Sequence, residues 1–233
     1  MKSMYLLLNI ASLSIPFVYS FNKKMRFIKN WKSVFSAIAI VAVFFIIWDV
    51  IFTKNGVWGF NNQYHLSYEI GGLPFEELLF FICIPYASVF IHYSLAYFKP
   101  EALLSEGLTK GITILLFIVT AIVLFSNLEK AYTGVNFSLL LVTLLLGLLY
   151  GLQSLRRFYL SFLIILIPFF IVNGILTGSF IEAPVVWYND NENLGIRLFT
   201  IPVEDIGYAF NMLFLAVLLI EKIKKIDKSK FNH

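Results

Sequence analysis

A chain of 233 residues that is 59% hydrophobic and only 14% charged, with a mean hydropathy of +0.82, carries more apolar side chain than a soluble domain of that length can bury. Its net charge of +4 is spread over short connections and a tail, a pattern of membrane orientation and not of nucleic-acid binding. The single cysteine, Cys83, excludes an intrachain disulfide, and no Cys/His spacing suggests a metal site.

A helix needs about 20 mostly apolar residues to span a bilayer. Seven segments qualify: 4–21, 33–52, 75–97, 109–126, 135–152, 158–178 and 202–220. Continuous apolar runs favour helices over barrel strands. The first run lacks a small-residue cleavage site and is read as a spanning helix, not a removed signal. The expected fold class is an all-α integral membrane protein with seven transmembrane helices.

The connections set the orientation. Lys23, Lys24, Arg26, Lys29 and Lys32 fill the first, Lys99 and Lys110 flank the third, Arg156 and Arg157 fill the fifth, and Lys222, Lys224, Lys225, Lys228 and Lys230 form the tail. Only Lys2, Lys54, Lys130 and Arg197 fall on the other side. The excess of positive charge on the cytoplasmic side places the N-terminus outside and the C-terminus in the cytoplasm of a multi-pass protein of a bacterial-type cell membrane. The long connections 53–73 and 179–201 then face outward. Their Trp58, Trp187, Tyr64, Tyr68 and Tyr188 suit an interfacial aromatic belt, and Trp58 and Trp187 are also expected to line the cavity and support substrate binding. His65 is a plain loop residue or a proton relay.

The first three helices and the last three read as two copies of one unit. Each has a helix, a basic turn, a second helix, a long outer loop with a Trp (Trp58, Trp187), and a Pro-led helix. The first unit is expected over 1–98, a linker helix over 99–132, and the second unit over 133–233. One linking helix restores the orientation, so the repeats are parallel, and sites in such proteins lie between the repeats.

The Pro-led helices carry the chemistry. Pro74-Phe-Glu76-Glu77 and Pro202-Val-Glu204-Asp205 each put two carboxylates in a first turn. Proline at a helix start and acids near its dipole are ordinary. Twofold recurrence at the end of a spanning helix, where charge is expensive, points to function. Neighbouring helical residues point about 100° apart, so one carboxylate of each pair can face a central cavity. Phe80 and Tyr208 stand four residues after Glu76 and Glu204, on the same faces. A carboxyl held as the acid, a second as the base, and aromatic faces that stabilise a cation suit protonation of an alkene. Asp49, after Trp48, is a hydrogen-bond partner for these pairs, a second proton carrier, or a helix-end residue at the interface; Asn173 holds its position in the second unit. Arg197 is expected either to pair with Glu204 or Asp205 or to sit among headgroups.

These residues resemble the lycopene cyclase domain family, the non-flavin membrane carotenoid cyclases. The resemblance rests on Trp48-Asp49, on Gly71-Gly-Leu-Pro-Phe-Glu-Glu-Leu-Leu-Phe-Phe81, on Asn173-Gly-Ile-Leu-Thr-Gly178, and on Leu194-Gly-Ile-Arg197 leading to Pro202-Val-Glu-Asp205. It covers nearly the whole chain and matches the fused two-unit form. It implies a β-cyclase that converts linear lycopene ends to β-ionone rings, giving γ-carotene and then β-carotene, by acid–base catalysis without net redox change. It implies Glu76, Glu77, Glu204 and Asp205 as the site carboxylates, with the proton donor expected in the Glu76/Glu204 set. The partners implied are lycopene or a related linear carotenoid, membrane lipid and other carotenoid enzymes. No cofactor is expected, since no Gly-x-Gly-x-x-Gly fingerprint follows a strand.

A small transporter shares the plan of three helices, a linker and three more. It needs polar groups near the midplane, where this chain has Leu, Ile and Phe. A retinal protein needs a lysine inside the seventh helix, and 202–220 has none.

Overall fold

Apolar runs of this length bury their backbone polar groups in helices, and a computed structural model of the chain, which describes residues 2–230 and side chains through Asp227, has seven of them. They are α1 (Met4–Tyr19), α2 (Trp31–Lys54), α3 (Phe75–Phe98), α4 (Glu106–Phe125), α5 (Ala131–Tyr150), α6 (Leu152–Leu176) and α7 (Glu204–Lys230). The last residues of the second unit, 231–233, lie outside the described residues. Among the described residues, six helices are long and apolar enough to cross a membrane. The seventh, α1, has 16 residues. Its rise of about 24 Å falls short of a typical hydrocarbon core. The expected first segment, 4–21, is therefore shorter than a full span, because the chain turns at Ser20 toward the 3-10 turn Phe27–Asn30.

α3 and α7 form the centre. α1 packs on α3 and α5 packs on α7, while α2 and α6 each touch both central helices. α4 lies outside, against α5 and α6. Aromatic side chains fill the interior, with Phe45, Tyr86, Phe158 and Phe214 fully buried. Ile40, Val43, Ile47, Leu115 and Ile122 stay exposed on helix surfaces, as suits side chains that meet lipid.

The two long connections contain short strands that the sequence did not announce. β2 (Glu69–Ile70) and β3 (Leu73–Pro74) form a hairpin into α3, and β5 (Arg197–Leu198) and β6 (Ile201–Pro202) form its counterpart into α7. Gly71 and Gly72 turn the first hairpin at φ +66° and +89°, the backbone that a two-residue primed turn requires. In the second, Phe199 takes φ +57°. Between the units, β1 (Trp58–Phe60) pairs antiparallel with β4 (Val186–Tyr188), Gly59 opposite Trp187.

That register corrects the expected equivalence of Trp58 and Trp187. Counting back equally from Pro74 and Pro202 matches Trp58 with Val186 and Gly59 with Trp187. The β1–β4 pair thus lies across an approximate two-fold axis, each strand meeting its own counterpart.

Candidate active site

Each hairpin delivers its proline to a helix start, and the next turn carries the acids. The first acid of each pair is tied to its own loop. Glu76 Oε1 accepts the Leu66 backbone N–H at 2.7 Å, and Glu204 Oε1 accepts that of Leu194 at 2.7 Å. Thr133 also donates to Glu204 Oε1 at 2.7 Å. The carbonyls of the same residues accept from Asn9 Nδ2 (2.8 Å) and Asn136 Nδ2 (2.6 Å). Both carboxyls are fully buried, and their Oε2 atoms have no hydrogen-bond partner among the described residues.

The second acid of each pair turns the other way. Tyr5 donates its hydroxyl to Glu77. Tyr132 donates to Asp205 Oδ1 at 2.6 Å, and Tyr188 to Oδ2 at 3.0 Å. Burial, and then the Asp205 carboxylate beside it, hold the Tyr188 phenol well above its ordinary range, so it remains a donor. Arg197 does not reach either acid of α7. It pairs with Asp190 at 2.5 Å, donates to the Thr200 carbonyl at 2.8 Å and lies over the Tyr188 ring. The expected Arg197 pairing with Glu204 or Asp205 fails because the β5–β6 hairpin directs its side chain along the loop.

Glu77 and Asp205 line the same chamber of about 680 Å³, bounded mainly by α1, α3, α6 and α7. Asp49 joins them at the same end. It accepts from Trp58 Nε1 at 2.5 Å and Thr53 at 3.3 Å, and its Oδ2 has no hydrogen-bond partner among the described residues. Asn173, Phe80, Tyr208 and Trp58 also line the chamber. Phe80 stands 6.3 Å from the Tyr5 ring, and Tyr208 stands 6.4 Å from the Tyr132 ring. Beyond this polar end the wall is almost wholly Ile, Leu, Phe, Ala and Pro, down to Ile91 and Leu213.

Two sequence expectations change here, and His65 keeps its place in the loop. Glu76 and Glu204 face their loops and not the chamber; the cavity-facing members are Glu77 and Asp205. Trp187 is 42% exposed, with its ring across Gly59, and stands outside the chamber. His65 is buried, and its ring nitrogens meet Leu66 O at 2.9 Å and Asn62 Oδ1 at 3.0 Å. It fixes the segment that presents Leu66 to Glu76. Sequence reasoning missed Tyr5, Asn9, Tyr132 and Asn136. Their signal was available: Tyr-x-x-x-Asn opens the first helix of both units, and an i, i+4 pair shares one helical face.

A family model described as lycopene cyclase matches residues 2–95 and again 129–223. No curated protein and no solved structure matches. The two matched stretches are the two units that repeat these contacts, with α4 between them, and together they take in most of the chain. The chain belongs to the lycopene cyclase family.

Proposed function

We propose that this chain is a membrane carotenoid cyclase that closes the linear ends of lycopene to β-ionone rings, giving γ-carotene and then β-carotene. The observation that carries this is the meeting of Glu77 and Asp205, from matching helix starts in two units, at one end of an otherwise apolar chamber. A polyene fits such a wall. A sugar or another polar cargo finds few partners along it, Ser12 and Ser88 among them.

The chemistry follows from the positions. Glu77 holds Tyr5 on one side of its carboxyl and faces the chamber, which suits it to donate a proton to the terminal double bond of a bound chain. The proton's arrival leaves a tertiary carbocation. The neighbouring double bond attacks it, one carbon–carbon bond forms, and the charge moves onto the new ring. The ring faces of Tyr208, Trp58 and Phe80 flank that path and stabilise the cation. Loss of a proton from the ring carbon completes the β-ring. Asp205, which accepts hydrogen bonds from two phenols, takes up that proton as the base, and Asp49 lines the same end of the chamber. One proton enters and one leaves, so the reaction is an isomerisation with no electrons to supply. Glu76 and Glu204 hold the loops and helix starts in place, and Asn173 is a supporting wall residue.

The protein is assigned to a cell membrane as two parallel three-helix units joined by the linker helix α4, the second unit opening with α5 at Ala131 and not at the expected 133, since Tyr132 repeats the contact of Tyr5. The N-terminus lies outside and the C-terminus in the cytoplasm, on the strength of the basic turns. Expression of the chain in lycopene-accumulating cells tests the activity. Cyclic carotenes replace lycopene on this account. Persistent lycopene beside well-inserted protein contradicts it.

A further inference from the structure

Two units related by an approximate axis would be expected to form two chambers. The walls of the one described are α1, α3, α6 and α7, and its counterpart would lie among α5, α7, α2 and α3. That second volume is filled. On α6 the wall residues before the helix end are Val172, Asn173 and Leu176. α2 offers Trp48, Asp49 and Phe52 at the matching stretch. Trp48 is 6% exposed, and its ring stands 5.0 Å from Tyr208 and 5.6 Å from both Phe45 and Phe52. Phe45, three residues earlier on α2, also packs on Tyr208 at 4.9 Å. Close packing of this kind leaves no room for a polyene.

The acids are also spent on one side. Glu77, Asp205 and Asp49 all reach the same end of the same chamber. From Glu77 to Ile91, its lower limit on α3, the helix rises about 21 Å. A conjugated chain is stiff and cannot fold back, so while one end meets the acids the other points away from them. The chamber also opens sideways. Its wall residues Ile15 on α1 and Ile171 on α6 are 67% and 60% exposed, on the surface that meets lipid.

Building on the cyclase reading, we propose that the chain has one catalytic chamber that serves both ends in turn. Trp48 and Phe45 close its symmetric twin, and the singly cyclised carotenoid leaves into lipid between α1 and α6 before its second end reacts. The order is distributive: one ring per binding event.

A pulse–chase on membrane vesicles holding the full chain tests this. Isotopically labelled lycopene is supplied briefly, followed by a large excess of unlabelled lycopene. The proposal expects the label to remain in the singly cyclised product, its passage to the doubly cyclised one slowed at least tenfold against unchased vesicles. Label that proceeds to the doubly cyclised product at the unchased rate overturns it. Lycopene that is never cyclised overturns the cyclase reading itself, a distinct result. Binding gives a second test through Glu77→Gln protein in lipid nanodiscs titrated with lycopene. Saturation at one lycopene per chain is expected, and saturation at two overturns the single chamber.

Discussion

Glu76 and Glu77 adjoin in the sequence and do different work, because one step along a helix turns the side chain by about 100°. Glu76 receives a loop N–H, and Glu77 receives a phenol and faces the chamber. Replacing Glu76 by Leu strips the Leu66 N–H of its buried acceptor, which costs about 1–3 kcal/mol. Thermal unfolding in detergent will show a lower melting temperature for Glu76→Leu; an unchanged one would remove its structural role. Tyr188→Phe takes one of two donors from Asp205, and a hydrogen bond to a charged group contributes about 1.5–3 kcal/mol. The cyclisation rate in vesicles should fall roughly tenfold or more, and a wild-type rate would count against Asp205 as the base. Phe199 is strained at φ +57° and 87% exposed, touching only the Phe170 ring among aromatic neighbours of the described residues. Left-handed backbone costs a side chain about 1–2 kcal/mol, so Phe199→Gly should raise the melting temperature, and a drop would mean that its ring contact with Phe170 matters more. At this scale the acids themselves were legible in the sequence. Which of each pair faces the chamber was not, because that depends on the loop that caps each helix start.

Helices were the legible elements, since an apolar run long enough to span a bilayer has few other fates. The six strands are two or three residues each, too short for any periodic signal. Their effect is nonetheless large: the hairpins aim the acids, and β1–β4 locks the two outer loops together, flanked by Asn61 N–H to Val185 O at 2.8 Å and Asn189 N–H to Val57 O at 2.9 Å. Gly59 is required at its centre. A Cβ there would stand 2.3 Å from Cζ2 of the Trp187 ring. Gly59→Val should push the indole out, unpair the strands and lower the melting temperature by several degrees; a wild-type unfolding curve would show that the loops hold without this contact. The Trp58–Trp187 equivalence failed for a related reason. The two tryptophans stand sixteen and fifteen residues before their prolines, so residue type pairs them while equal spacing and strand register both match Gly59 with Trp187.

Across the molecule, duplication supplies the plan and its departures from symmetry supply the site. Tyr5, Asn9 and Leu66 in one unit repeat their contacts as Tyr132, Asn136 and Leu194 in the other. Trp48 against Val172 and Asp49 against Asn173 break that likeness and leave one chamber open. The repeat was visible in the sequence through its paired motifs; the closing of one half was not, since it depends on how aromatic rings pack between helices. The central claim is that carboxyls from both units act together on one hydrocarbon end. Its most direct test is the pigment profile of lycopene-accumulating cells that express the wild-type chain, Glu77→Gln or Asp205→Asn at equal membrane levels. The account predicts cyclic carotenes from the wild type and a loss of at least a hundredfold in both variants. Cyclic carotenes at wild-type levels from both would contradict it.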